Sequence, residues 1–438
     1  MKSGRVERYR ALVFPCGTEI GLEVHRSLSH SLHFELVGAS SVSDHGSFTY
    51  EEYVEGLPFI TDSSFDDAFV NLLREESIDL VIPAHDDVVL ATARLAAQGR
   101  LSAIPVTSPL TTCEIARSKR RTYSSLAESV PTPRVFASAE DVRSSEYPVF
   151  LKPDCGQGSR GTHVASTLEE LKFYLKKDPT LLILEFLPGP EYTVDCFTDR
   201  YGHVRLAAGR ERSRISGGIS VRSSLFIDDR LLPIAEQINQ TLPFRGVWFF
   251  QVKERSSGEL VLMEIASRAA GTMGLSRVRG INLPLLSAFD AVGVDVVFSP
   301  NTYQVVVDRA LGSSFKSDLE YGHAYLDLDD VLLLRDGTVS VPVVSFIYQC
   351  RNRGIPVSLI TRHAGNLPET LRRHALDSCF DEIIWLKSGE RKSAYIRHTD
   401  SIFIDDSFAE RLDVQESCGI AVFDAHMLEA LLQGSEPS

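Results

Sequence analysis

The chain has 438 residues, 43% of them hydrophobic and 24% charged, with a net charge of −14. That length exceeds one hydrophobic core, so two to four domains are expected. The acidic balance and the lack of a long basic run argue against a nucleic-acid surface, and no apolar stretch approaches the ~20 residues of a membrane span.

The charged start, MKSGRVERYRALVFP, has no signal-type apolar run, and the seven cysteines are odd in number without a C-x-x-C pair. Both features predict a cytoplasmic protein rather than a disulfide or structural-zinc scaffold. Residues 9–110 alternate strand and helix: RALVFPCG, TEIGLEVHRSLS, FELVGAS, SFDDAFVNLLREES, IDLVIPAHDD and DVVLATARLAAQGR. That is a small parallel α/β layer, whose ligands sit at the carboxyl ends of strands. Cys16-Gly17-Thr18-Glu19 and His85-Asp86-Asp87 fall at such ends. They serve either substrate binding or helix capping.

The most telling segment is Val149 to Val164, VFLKPDCGQGSRGTHV. Lys152 closes an apolar strand, and Gly156, Gly158 and Gly161 follow. Glycines at that spacing let backbone N–H groups close around phosphate oxygens, and the lysine adds point charge. The loop matches G-x-G-x-x-G, but a dinucleotide loop runs from strand into helix. Here THVA reads as a second strand, and the helix starts at Thr167 with Glu170 as its capping partner. The pattern predicts a flap over a nucleotide; the alternative is an ordinary hairpin. Cys155 lies beside it. Lys119 sits on a preceding helix, within reach of the same phosphates. Glu185 ends the apolar strand of LLILEF, with Leu187 and Glu191 after it. In VWFFQVKERSSGELVLMEIASRAAGT a hairpin carries Gln251 on one strand and Glu264 on the other, an oxygen pair suited to Mg²⁺, with Arg268 near the same end. Arg210, Arg212 and Arg214 alternate before Gly217-Gly218; they present guanidiniums to phosphate or an acidic substrate, or else form a solvated face.

After a boundary near SSFKSD, residues 321–438 restart the strand–helix alternation. YLDLDDVLLL delivers Asp327 and Asp329 to one face, a nucleophile and a general acid–base candidate. Further strands end at Thr361 and at Asp405-Asp406; Lys392 lies between them, with Lys387 competing for its place. So many acids at neighbouring strand ends imply a cation such as Mg²⁺. The tail GSEPS is expected to be disordered.

From Arg10 to about Val297 the ordered set of motifs resembles the ATP-grasp superfamily, most nearly its carbamoyl phosphate synthetase-like and biotin carboxylase-like members. The resemblance implies an ATP-dependent, ADP-forming ligase. It would activate a small carboxylate, such as an amino acid, as an acyl phosphate for attack by an amine, thiol or similar nucleophile. Lys119 and Lys152, with Gly156, Gly158 and Gly161, would hold phosphates. Glu185, Leu187 and Glu191 would hold adenosine, Gln251 and Glu264 would bind Mg²⁺, and Arg268 would stabilise the acyl phosphate. Ala266 stands where the family's E-I-N-P-R strand usually has asparagine. The last 120 residues or so resemble the haloacid dehalogenase (HAD) superfamily. Asp327 and Asp329 match its first motif, with Val331 at a position often threonine; Thr361 matches the second, Lys392 the third, and Asp405-Asp406 the fourth. Asp327, Asp329 and Asp405 would bind the metal of this second site. The spacings leave no room for a large cap.

The resulting expectation is an α/β multidomain chain. Residues 1–110 would form a Rossmann-like pre-ATP-grasp domain, residues 111–312 an α+β ATP-grasp domain with its flap at 149–164, and residues 318–438 a HAD-like Rossmannoid parallel sheet. The resemblance implies ATP and Mg²⁺, admits Mn²⁺, and admits a homodimer acting on small molecules. Other readings are an ATP-grasp kinase opposed by the phosphatase, and a nucleotide-binding scaffold in which only the C-terminal site is catalytic.

Overall fold

A computed structural model describes residues 7–156, 158, 160–310 and 312–432. The GSEPS tail lies outside them. The chain divides into two compact units after Ala310.

The first unit opens with strands β1 (Tyr9–Phe14), β2 (Phe34–Ala39), β3 (Glu52–Val54), β4 (Leu80–Pro83) and β5 (Ile104–Pro105), joined as a parallel sheet in the order β3-β2-β1-β4-β5. The sheet is all parallel because helices Glu19–Leu28 and Phe65–Glu75 give it apolar cover, so its strands read as unbroken apolar runs. Thr18 caps the first of these helices, accepting from the Gly21 N–H at 3.1 Å. The Nδ1 of His85 accepts from the Asp87 N–H at 3.2 Å, capping helix Asp86–Ala97. Capping is therefore what Thr18 and His85 do.

A four-stranded antiparallel sheet follows: β6 (Val135–Phe136), β7 (Val149–Lys152), β8 (His163–Ala165) and β9 (Leu182–Glu185), in the order β6-β9-β7-β8. The predicted flap is the β7–β8 connection, since Leu151 pairs with His163. Gly158 and Gly161 have φ of +63° and +70°, which L side chains rarely adopt, and a Cβ on Gly161 would come within 3.1 Å of Pro153 Cγ. Helix Leu168–Lys177 is capped as predicted by Thr167 on the Glu170 N–H, but the Glu170 carboxylate reaches back to the Ser166 N–H.

A larger antiparallel sheet is built from β10 (Glu191–Thr198), β11 (Val204–Ser216), β12 (Ile219–Phe226), β13 (Gly246–Glu254), β14 (Leu260–Ala266) and β15 (Val306–Asp308), in the order β14-β13-β10-β11-β12-β15. One core brings together Ala11, Val13, Phe197, Met273 and Leu283, so the N-terminal layer and the large sheet share apolar packing.

The second unit is a parallel sheet of β16 (His323–Leu326), β17 (Val357–Thr361), β18 (Glu382–Trp385), β19 (Ser401–Ile404) and β20 (Ala421–Phe423), in the order β18-β17-β16-β19-β20. Leu326, Leu359, Ile402 and Ile404 are fully buried in the core that also takes helix Val341–Asn352. With β16 central, the ends of β17 and β19 flank the end of β16. Among the described residues no helix is long and apolar enough to cross a membrane.

Candidate active sites

In the first unit, strand pairing sets Gln251 directly opposite Glu264. Cross-strand neighbours on one face lie about 5 Å apart, so the two side chains start from the same face of the hairpin. Lys119, at the start of helix Lys119–Leu126, places Nζ 3.7 Å from a Glu264 oxygen and 3.4 Å from the Gly156 carbonyl. Ser118 caps that helix while its hydroxyl donates to Asp154 at 2.8 Å, and the Arg120 N–H donates to Asp154 at 2.7 Å. Asp154 thus ties the root of the glycine loop to the lysine helix. Lys152 is buried beside this group; its Nζ donates to the Met263 carbonyl at 2.9 Å. Burial, with the Lys119 charge adding to it, pushes its pKa down to about 8 against the opposing pull of Glu264 and Glu191.

A cavity opens here, lined among others by Lys119, Gly156, Glu264, Ser267, Arg268 and Asp86. Arg268 is bidentate on Asp86 at 2.6 and 2.8 Å. Burial alone would raise the Asp86 pKa, but the Arg268 charge and hydrogen bonds outweigh it and hold the carboxylate below its ordinary range. The next residue, Asp87, accepts from Arg117 at 2.8 Å. Two successive acids at one helix start therefore each fix an arginine of the cavity region, a role the sequence reading did not assign to them.

Other predicted residues stand differently. Leu187 is buried. The Glu185 carboxylate is held bidentately by Arg255 at 2.7 and 3.1 Å and accepts from the Arg134 N–H. Its carboxylate oxygens are therefore engaged within the protein, which leaves the neighbouring backbone as the part of the expected adenosine contact that stands free of these bonds. Glu191 is ion-paired with Arg212, which also donates to the Gly218 carbonyl at 3.0 Å. Arg210 is buried against Asp195 at 2.8 Å. Arg214 is exposed, and one of its Nη nitrogens donates to both carboxylate oxygens of Asp308 on β15. The β11–β12 register shifts on both sides of Arg214, and Arg212 and Arg214 have different carboxylate partners.

In the second unit, Asp327 follows β16, Thr361 ends β17 and Asp405 follows β19. Buried Lys392, in a short 3₁₀ turn, donates to Asp327 at 2.8 Å and to Asp405 at 2.6 Å. Lys387 is exposed. The Leu328 N–H donates to Asp327 at 2.8 Å. Burial raises both carboxyl pKa values although Lys392 opposes it, and Asp405 reaches about 6. Oxygens of Asp327, Asp405 and Asp406 lie within 4.8 Å of one another. Three carboxylates so close fit a hard divalent cation and repel without one. Asp406 thus stands with Asp327 and Asp405, whereas the Asp329 side chain is turned to His363 Nδ1 at 2.9 Å.

With this geometry in view, the comparisons with known proteins fall into place. A model of the family described as "ATP-grasp in the biosynthetic pathway with Ter operon" matches residues 177–310. The chain is similar to the biotin carboxylase domain dimer of Hydrogenobacter thermophilus 2-oxoglutarate carboxylase, solved with MgADP, ADP and bicarbonate. The identity is 16% over 68% of this chain and 72% of that one, with a TM-score of 0.57. It is also similar to an L-amino acid ligase from Bacillus licheniformis, at 18% identity over 66% and 75% of the chains and a TM-score of 0.54. An ADP complex of N5-carboxyaminoimidazole ribonucleotide synthetase gives 13% identity over 70% and 82%, with a TM-score of 0.57. The fold they share with this chain is the ATP-grasp fold.

Proposed function

We propose that the chain is a bifunctional enzyme: an ATP-dependent, ADP-forming ligase in its first unit and a HAD-type phosphohydrolase in its second. The observation that carries the first reading is Glu264, paired across the strands with Gln251 and 3.7 Å from the Lys119 ammonium, with buried Lys152 bonded to the adjacent Met263 carbonyl. Gln251 and Glu264 would hold Mg²⁺, which when bound neutralises charge on ATP phosphates. Lys119 and Lys152 would hold the phosphates, and the flap N–H groups would close around them and exclude water. Arg268, fixed by Asp86, would orient the carboxylate that takes the γ-phosphoryl group. The incoming nucleophile then forms a bond to the acyl carbon, gives up its proton, and the C–O bond to phosphate breaks, so that inorganic phosphate leaves. The likeness to an L-amino acid ligase favours an amino acid as the activated acid.

The second reading rests on the Asp327–Lys392–Asp405 arrangement. Asp327, Asp405 and Asp406 would hold Mg²⁺, which supplies charge neutralisation at the phosphoryl oxygens. An Asp327 oxygen forms a bond to phosphorus, the bridging P–O bond breaks, and the leaving oxygen takes a proton from Asp329. Water then releases phosphate from Asp327. Thr361 and Lys392 would bind phosphoryl oxygens.

The test is ³¹P NMR of the full chain with Mg-ATP and pooled amino acids and amines, with Glu264→Ala and Asp327→Asn alongside. Acceptor-dependent ADP and phosphate are expected in wild type and Asp327→Asn and not in Glu264→Ala. A phosphoester that persists only in Asp327→Asn places both sites on one route. ADP formation in Glu264→Ala equal to wild type overturns the ligase site, and unchanged phosphoester hydrolysis in Asp327→Asn overturns the phosphatase site.

A further inference from the structure

Strand β18 is the edge of the second unit's sheet, next to β17. Ile384 points into the core, while Ile383 and Trp385, two residues apart on the other face, are 44% and 49% exposed. Isolated exposed apolar residues are common and need no explanation. Trp385, however, is fastened. Its backbone lies in register with Thr361, and its indole Nε1 donates to the His363 carbonyl at 3.0 Å. The His363 Nδ1 in turn donates to Asp329 at 2.9 Å, and its Nε2 sits 3.1 Å from the Thr370 hydroxyl. An open aromatic surface is thus anchored to the same residue that anchors the acid.

In the phosphatase reading, on which this inference rests, Asp329 must stand beside the bridging oxygen to protonate it. The leaving group therefore departs on the Asp329 side of phosphorus. On that side the Asp329 carboxylate is bonded to the His363 ring, and the His363 carbonyl holds the Trp385 indole. A rigid indole costs little entropy to hold and offers one flat apolar face, which suits another flat ring. We infer that Trp385 is a stacking platform for the leaving group, and that the second unit acts on phosphoesters of planar aromatic or heteroaromatic alcohols.

The experiment uses the full-length Asp327→Asn protein with Mg²⁺, in which binding is read without turnover. Calorimetric titration compares phenyl phosphate, glycerol phosphate and inorganic phosphate, in that background and with Trp385→Ala or Trp385→Phe added. Phenyl phosphate should bind about tenfold more tightly than glycerol phosphate, as an aromatic pair of this kind supplies. Trp385→Ala should erase that preference while leaving inorganic phosphate binding unchanged, and Trp385→Phe should restore most of it. Equal binding of the two esters, or a preference that survives Trp385→Ala, overturns the platform and leaves the phosphatase reading standing. Failure of inorganic phosphate to bind the wild-type protein with Mg²⁺ overturns the phosphatase reading and the platform with it.

Discussion

The two candidate sites each bury a lysine, and they settle its charge in opposite ways. Lys152 is 4% exposed and has a carbonyl as its hydrogen-bond partner, so burial acts on the lysine and lowers its pKa to about 8. Lys392 is 2% exposed and lies between two carboxylates, so the cost of burial appears on its partners, and Asp405 rises to about 6. The lesson concerns what each lysine awaits. Lys152 forms no ion pair among the described residues, feels Glu264 and Glu191 only at longer range, and gains from an arriving phosphate. Lys392 already balances acids that also suit a cation.

The largest effect should come from removing the balanced lysine. Lys392→Met leaves Asp327 and Asp405 buried without their cation, a loss of about 3–5 kcal/mol for a broken buried pair. Hydrogen exchange of β16 and β19 amides in the full chain should report that loss, along with abolished phosphatase activity. Added Mg²⁺ should recover part of the protection. Undiminished protection would mean that the acids are neutral and the pair is not ionic. The same site has a pH signature. The folded pKa of Asp405 is raised, so its contribution to stability is full below the unfolded value of about 3.9 and is lost as pH rises through about 6. Mg²⁺, which takes the charged form, should flatten that decline.

Lys152→Met sharpens the other half of the comparison. Bound phosphate should raise the Lys152 pKa, so Mg-ATP affinity in wild type should weaken above about pH 8 by up to about tenfold per pH unit. The variant should bind roughly tenfold or more weakly at neutral pH and show no such slope. Stability runs the other way. A lysine with a depressed folded pKa contributes stability present above about 10.4 and lost as pH falls through about 8, and Lys152→Met should lack that dependence. Equal pH slopes of ATP affinity in the two proteins would detach Lys152 from phosphate.

What the sequence disclosed follows from the same contrast. The second site sits at the ends of neighbouring parallel strands, so Asp327, Thr361 and Asp405 each follow an apolar run and announce themselves. Lys392 does not, because its 3₁₀ turn has no periodic signature, and only the order of motifs separated it from Lys387. In the first unit the hairpin made Gln251 and Glu264 legible as partners, since antiparallel pairing is local. The Asp86–Arg268 pair was hidden: 182 residues separate its members, and no local pattern links them. The surroundings of Arg214 were illegible for a different reason, because alternation along a strand presumes an unbroken register and β11 has two breaks around it.

The smallest predicted effect bears on whether the first site is tuned weak. Ala266 is buried, on β14 two residues after Glu264, and strand alternation puts its side chain on the Glu264 face. An asparagine there would add a carbonyl oxygen to a donor set that now holds Gln251 and Glu264. Ala266→Asn should therefore tighten Mg²⁺ in the nucleotide complex by a few-fold, the order of one added neutral ligand or about 1 kcal/mol. ATP turnover titrated with Mg²⁺ measures this as a lower half-saturating concentration. The opposite result is equally informative: if activity falls while nucleotide binding holds, the small side chain is making room for the substrate beside Arg268, and the alanine belongs to the cavity rather than to the metal.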